Sequence, residues 1–360
     1  MKIILAFILL VATANAADTW KPAAPGYTFT FPSDHAAHPE HRIEWWYWTG
    51  NLTAADGHQF GYQLTFFRSG VARQPSTPSK FAIRDLYLAH FAVSDITGTT
   101  FHHAHQLHRA GIARAGDAFD PGTGTTRVWN DRWNATISDT GQRLIAHDPV
   151  SDIAIELDLT SLKPPALNGI DGYSQKGSDP DNASLYYSLT RLQTTGTVTV
   201  ADVTHTVTGL SWMDREFGSS FLEPGQQGWD WFSLHLDDGR DLMLYQLRRE
   251  DGTTDPFSAG TLVETDGTTT HLTSKDFSLT PDRTWKSDTT DATYPVAWTI
   301  ALPAQNLTLT TTTTFPDQEF TTESISYWEG AVRVGGSTPG RGYLEMTGYS
   351  GTALSRALSQ

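Results

Sequence analysis

The chain has no cysteine, so no disulfide can brace it and no thiolate can act as nucleophile or metal ligand. Basic residues are few. With 25 lysines and arginines against 40 aspartates and glutamates, the formal net charge is −15; such a chain repels phosphate backbones and anionic lipid, and no Lys/Arg run offsets the balance. That argues against nucleic acid as a partner. Also missing are the Gly-x-Ser-x-Gly turn of serine hydrolases, a phosphate-cradling glycine loop and the His-Glu-x-x-His pattern of zinc hydrolases. Chemistry is left to carboxylates, tyrosines, histidines and an unusual stock of 12 tryptophans.

Long apolar runs are absent after the first residues. MKIILAFILLVATANA has Lys2, an apolar stretch from Ile3 to Val11 and the small-residue exit Ala14-Asn15-Ala16, the layout of a secretory signal too short to span a bilayer. The expectation is cleavage near Ala16 and export of a bacterial chain to the periplasm or medium, with no transmembrane segment.

What the chain has in abundance is alternation. Ile153, Ile155, Leu157 and Leu159 alternate with Ala154, Glu156 and Asp158, as in an antiparallel strand buried on one face. Asp-Gly pairs at 56, 171, 238, 251 and 266 and Gly-Thr-Gly at 122 supply turns. The only helix the pattern suggests is a short one at Ala353 to Leu358. Leu162 to Asp181 is rich in proline and glycine and reads as a long ordered loop, a type that often carries function.

Two stretches repeat. Trp46, Trp48 and Tyr62-Gln63-Leu64 recur 183 positions later as Trp229, Trp231 and Tyr245-Gln246-Leu247, and each copy encloses an Asp-Gly turn, Asp56-Gly57 and Asp238-Gly239. The expectation is an all-β chain with an internal duplication into two barrels or sandwiches: a signal at 1–16, a first unit at 17–218 and a second at 219–360. The repeat offset makes Trp46/Trp229, Trp48/Trp231 and Tyr62/Tyr245 equivalent.

Acidic and aromatic residues cluster at Glu44-Trp45-Trp46-Tyr47-Trp48, at Trp212-Met213-Asp214-Arg215-Glu216-Phe217 and at Trp229-Asp230-Trp231, echoed by Tyr327-Trp328-Glu329 and Glu345. On a strand Asp214 and Glu216 share a face, roughly 6.5 to 7 Å apart. In apolar surroundings one such carboxyl keeps its proton near neutral pH and can donate it, while an ionised neighbour accepts one from water. Indole faces stabilise developing positive charge. The same residues could equally be structural ion pairs within a tryptophan-rich core. Alternation also forces a choice of faces. Asp230 as the acid puts Tyr47 at the equivalent inward position, with the four repeated tryptophans packed outside; Glu44 in the site reverses this. The histidines His35, His38, His41 and His102, His103, His105, His108 match no zinc spacing, so no metal is expected.

The run FPSDHAAHPEHRIEWWYWTGNL, with FGYQLTFFRSG, YYSLTR, GLSWMDREFGSS, GWDWFSLHLDDGRDLMLYQLR, YWEGAV and GYLEMTGY, resembles the hydroxyneurosporene synthase (carotenoid hydratase) and AttH family, many of whose secreted members are labelled predicted hydrolases. The resemblance covers about Phe31 to Tyr349. It implies two lipocalin-like β-barrels and a site for an apolar ligand. Carotenoid members add water across an unactivated double bond without a cofactor, and relatives include a fungal isoflavonoid hydratase and enzymes guiding pericyclic ring closure. Carried over by residue, the resemblance points to Glu44, Asp214, Glu216 and Asp230 as catalytic carboxylates and to Trp45, Tyr47, His90, Tyr187, Trp229, Trp231 and Tyr245 as ligand-binding positions, with Trp46 among the family's acidic-aromatic positions. Phe217 and His41 depart from the family's pattern. The expected function is a secreted, cofactor-independent hydratase or hydrolase of an apolar, terpenoid-like molecule. Its rivals are a periplasmic carrier of lipid or pigment, whose carboxylates would pair with Arg191, Arg215 or Arg248, and an accessory protein to an exporter.

Overall fold

A computed structural model describes residues 19–351 except 76, 78, 80, 112–113, 219–221 and 324. The leader at 1–16, the unit boundary at Ser219 and the helix at Ala353 to Leu358 lie outside the described residues. Within them no α-helix occurs.

The first sheet comprises β1 (Ile43–Ala54), β2 (Gln59–Gly70), β3 (Asp85–Asp95), β4 (Thr100–Arg109), β5 (Ala115–Asp120), β6 (Thr125–Asn130), β7 (Trp133–Ser138), β8 (Gly141–Asp148), β9 (Ile153–Ser161), β10 (Ala166–Leu167), β11 (Tyr173–Gln175), β12 (Ala183–Val200) and β13 (Val203–Gly218). The second comprises β14 (Gln226–Leu236), β15 (Asp241–Arg249), β16 (Ala259–Val263), β17 (Thr269–Thr273), β18 (Ser278–Lys286), β19 (Thr293–Leu302), β20 (Leu307–Thr312), β21 (Glu319–Thr321), β22 (Ser326–Gly336) and β23 (Gly340–Thr347). Both follow one plan. The first strand pairs with the last, β1 with β13 and β14 with β23, and the open seam falls after the fourth, between β4 and β5 and between β17 and β18. The first sheet is a nearly closed barrel and the second a half-barrel, consistent with two lipocalin-like units.

Alternation works as read: along β9, Ile153, Ile155, Leu157 and Leu159 are buried and Glu156 and Asp158 exposed. The repeat offset does not. Pairing of β1 with β2 sets Trp48 opposite Leu64 and Thr53 opposite Gln59, whereas β14 with β15 sets Asp230 opposite Gln246 and His235 opposite Asp241. These pairs correspond at an offset of 182, the spacing of the two Asp-Gly turns. Side chains alternate with period two, so a slip of one residue exchanges the faces of a strand. Trp46, Trp48 and Tyr62 accordingly fill the first barrel, while Trp229, Trp231 and Tyr245 leave the second sheet on its outer face. The three expected equivalences are incorrect.

Large side chains pack both interiors. Trp46, Trp48, Phe66, Phe91, Trp133 and Tyr187 pack the first, and Phe232, Leu244, Trp298, Trp328 and Met346 the second; each large side chain removed from water contributes ~2–3 kcal/mol. The sheets meet through their outer faces, β1 against β23, β2 against β22 and β12 against β14. Gly61 allows the closest approach, since a Cβ there would lie 2.8 Å from that of Ala331. One edge is sealed by buried Asp241, which accepts hydrogen bonds from Thr190 (2.9 Å) and Arg191 (2.7 Å) and pairs with Lys163 (2.8 Å).

Candidate active site between the sheets

The outward faces that meet at this junction enclose a pocket of about 690 Å³ including its mouth. From the first sheet come Trp45 and Tyr47 of β1, Phe67 of β2, Tyr186 of β12, and Asp214 and Glu216 of β13; from the second come Trp229 and Trp231 of β14, Tyr245 and Leu247 of β15, and Glu345 of β23. Lys176, just after β11, reaches in from the proline- and glycine-rich segment. The strand pairing accounts for the selection. Tyr47 lies opposite Asp214 and Tyr186 opposite Glu216, while Trp231 is flanked by Tyr245 and Glu345, so each group occupies one face of its sheet.

Three carboxyls line this pocket, and burial raises two of them. Asp214 is 3% exposed and accepts hydrogen bonds from Tyr186 Oη, from Ser188 Oγ at 2.5 Å and from Trp212 Nε1 at 2.6 Å. Burial nevertheless dominates: helped by the nearby Glu216 charge and opposed by those donors, it pushes the Asp214 carboxyl up to about 7. Glu345, 9% exposed, is likewise pushed to about 7, by burial against the bond donated by Trp229 Nε1 at 2.6 Å. Glu216 is engaged by the Lys176 ammonium and Ser184 Oγ. Lys176 is itself cradled by aromatic faces, its Nζ 4.9 Å from the ring centre of Tyr245 and 5.2 Å from that of Tyr186.

A second carboxyl adjoins Glu345. Glu329 lies opposite it on β22 and accepts a 2.6 Å hydrogen bond from the Tyr47 hydroxyl. Burial first, then the Glu345 charge, hold Glu329 well above the usual carboxylate range. Two adjacent acids in one dry site share a proton, since both cannot ionise. No arginine lines the pocket among the described residues. An aromatic chamber with two carboxyls that change state near neutral pH is suited to proton transfer on an apolar substrate.

The sequence matches the AttH-like family over residues 22–349. The chain belongs to that family. A crystal structure of a candidate AttH from Nitrosomonas europaea is 37% identical, with a TM-score of 0.82, covering 91% of this chain and 99% of that one. Kievitone hydratase from Nectria haematococca shares the fold at 16% identity and a TM-score of 0.62, covering 91% of this chain and 97% of its own. CghA does so at 12% identity and 0.52, covering 93% and 95%. Curated protein sequences give no match.

Of the positions expected to act in this AttH-like chain, the structure gathers Asp214, Glu216, Trp45, Tyr47, Trp229, Trp231 and Tyr245 into the pocket. Four lie elsewhere. Glu44 points into the first barrel, where Arg68 and Arg215 overcome its burial and hold it well below the usual carboxylate range; it is a structural ion pair. Asp230 points into the second, paired with Arg248 at 3.2 Å and accepting from Tyr349 at 3.0 Å. The face assignment built on Asp230 therefore holds in the second unit, where Asp230 points inward and Trp229 and Trp231 outward, and fails in the first, where Trp46 and Trp48 fill the barrel and Tyr47 faces out; the pocket forms on the outward faces, away from Asp230. Tyr187 is turned inward onto His35 at 2.6 Å, and its neighbour Tyr186 takes the pocket position. His90 is buried beside a different cavity.

The pocket also contains groups outside the expected set. Lys176 came from the segment noted for its turn chemistry, and Glu345 from the echo at the chain's end. Tyr186 and Phe67 are single residues in apolar strands; only the pairing register, which fixes their face, marks them out. Of the four candidate carboxylates, Glu44 pairs with Arg215 and Asp230 with Arg248, as a carrier would have it, whereas Asp214 and Glu216 pair with none of the three arginines and Arg191 is taken by Asp241.

Proposed function

We propose that the protein is an exported, cofactor-independent hydratase of an apolar small molecule bearing an isoprenoid-like double bond. The observation that carries this reading is that Asp214 and Glu345, one from each sheet, both titrate near 7 in a single aromatic-walled pocket. Likeness in fold to a hydratase supports it.

In the proposed mechanism Asp214, protonated and held by Tyr186, Ser188 and Trp212, donates its proton to the less substituted alkene carbon. The cation forms on the more substituted carbon, flanked by the indoles of Trp229 and Trp231. Water held by ionised Glu345 then attacks it; the new C–O bond forms as Glu345 takes the water proton. Solvent exchange returns a proton to Asp214 and removes one from Glu345. A positioned acid or base contributes ~10²- to 10⁴-fold, and the closed aromatic wall keeps other water from quenching the cation early.

The test is turnover of prenylated phenols and short terpenols in heavy-oxygen water, read by mass spectrometry. The expected product carries one labelled oxygen, and Asp214→Asn and Glu345→Gln each abolish it. Ligands that copurify with the exported protein and are returned unaltered by the wild type would replace this reading with that of a carrier. N-terminal sequencing of the mature protein tests cleavage near Ala16.

A further inference from the structure

A second cavity, of about 970 Å³ including its opening to solvent, lies between the sheets beyond Phe67, whose side chain forms part of the wall of both spaces. Its lining is mixed: Leu86, Leu88 and Ile325 lie within and Val71 and Leu107, at 53% and 59% exposure, form an apolar lip, while Arg42, Ser69 and Thr322 add polar groups. His105 and Glu323 pair at 3.7 Å in its wall.

One buried group stands apart. His90 is wholly buried in the wall, its Nδ1 shares a 2.7 Å hydrogen bond with the Tyr327 hydroxyl, and its Nε2 has no protein partner. The ring is stacked on Phe320 at 4.5 Å and edged by Phe67 at 5.3 Å, so it is held in place. Burial keeps it neutral, its pKa lowered to about 3. Where Tyr327 donates to Nδ1, Nε2 carries the ring proton with nothing to receive it; where Nδ1 donates to Tyr327, Nε2 is an acceptor with no donor. Buried polar groups in folded proteins are nearly always satisfied, by protein, water or ligand.

We propose that this cavity is a binding subsite for the non-reacting end of the substrate, an alkyl or isoprenoid chain whose hydroxyl forms a hydrogen bond with His90 Nε2. Phe67 borders both this space and the pocket that holds Asp214. The inference rests on the hydratase reading only in naming the occupant as substrate; occupancy itself requires no turnover.

Calorimetric titration with hexanol and with chlorohexane of the same chain length tests it. The wild type should bind hexanol about fivefold more tightly, the value of one net hydrogen bond. His90→Phe, which keeps the stacked ring, should erase that preference and leave chlorohexane binding in place. Leu88→Trp, which fills the cavity, should abolish binding of both, and Asp214→Asn should bind both as the wild type does. Hexanol affinity unchanged by His90→Phe and by Leu88→Trp would overturn the proposal, and should His90→Phe not fold, unchanged affinity in Leu88→Trp alone would do so. His90-dependent binding without any hydration product would leave the subsite standing and remove the hydratase reading.

Discussion

Replacing Asp214 by asparagine should make the protein more stable at alkaline pH while destroying its activity. The folded carboxyl titrates near 7 against an ordinary 3.8, so the folded state holds this proton more tightly than the unfolded chain. A raised carboxyl favours folding most at low pH, where both states are protonated, and that advantage is lost as pH rises from about 4 through 7. Three units at 1.36 kcal/mol each put the full loss at about 4 kcal/mol, of which roughly 2–3 kcal/mol falls between about pH 5 and pH 8. Asparagine cannot ionise and escapes it. Urea unfolding of both proteins across that range should therefore show Asp214→Asn gaining on the wild type by ~2–3 kcal/mol as pH rises. Glu345 shifts in the same direction, in part through the Asp214 charge, so the substitution also relieves some of its shift and adds to the same gain. Curves that stay parallel would refute the assignment of a raised, buried acid. The wild-type activity should fall above about pH 7 as the same proton leaves.

Glu44→Gln should cost about 3–5 kcal/mol in chemical denaturation by leaving Arg68 and Arg215 buried without their counter-charge, and what remains folded should keep its turnover per molecule. Asp230→Asn should lower the melting temperature through the lost pairing with Arg248, yet leave the pH profile of turnover unmoved; a selective loss of turnover would return Asp230 to the site. Trp229→Phe keeps an aromatic wall but withdraws the hydrogen bond to Glu345, so the Glu345 carboxyl should rise further and the acid limb of the pH–rate profile should move to higher pH. Trp231→Ala, truncating an aromatic side chain that packs edge-on against Tyr47 at 5.1 Å, should cost about 3 kcal/mol or more by thermal unfolding.

The strands, the turns and the doubling of the fold were legible because period-two burial and Asp-Gly turns are local signals. Asp214 and Glu216 were legible as a same-face pair for the same reason. Tryptophans matched at 183 outweighed turns matched at 182, which made Asp230 the counterpart of Tyr47 instead of Trp48 and so assigned the faces of β1 wrongly, since a single residue decides which way a strand's side chains face. Tyr186 was passed over in favour of Tyr187 by the same parity. Glu345 and Lys176 could be noticed in the sequence but not brought to the pocket, since the contact between two sheets is a long-range packing outcome with no local signature.

Because the pocket is lined by the outsides of two barrels, its walls belong to neither core. The interiors are filled by one set of side chains and the chamber by the alternate set on the same strands, so the reacting groups can be exchanged one at a time while every buried neighbour on the inner face keeps its packing. A scaffold divided in this way can change what it recognises without relearning how to fold, and a designer seeking new chemistry in it has eleven positions on facing strands to alter before either barrel need be disturbed.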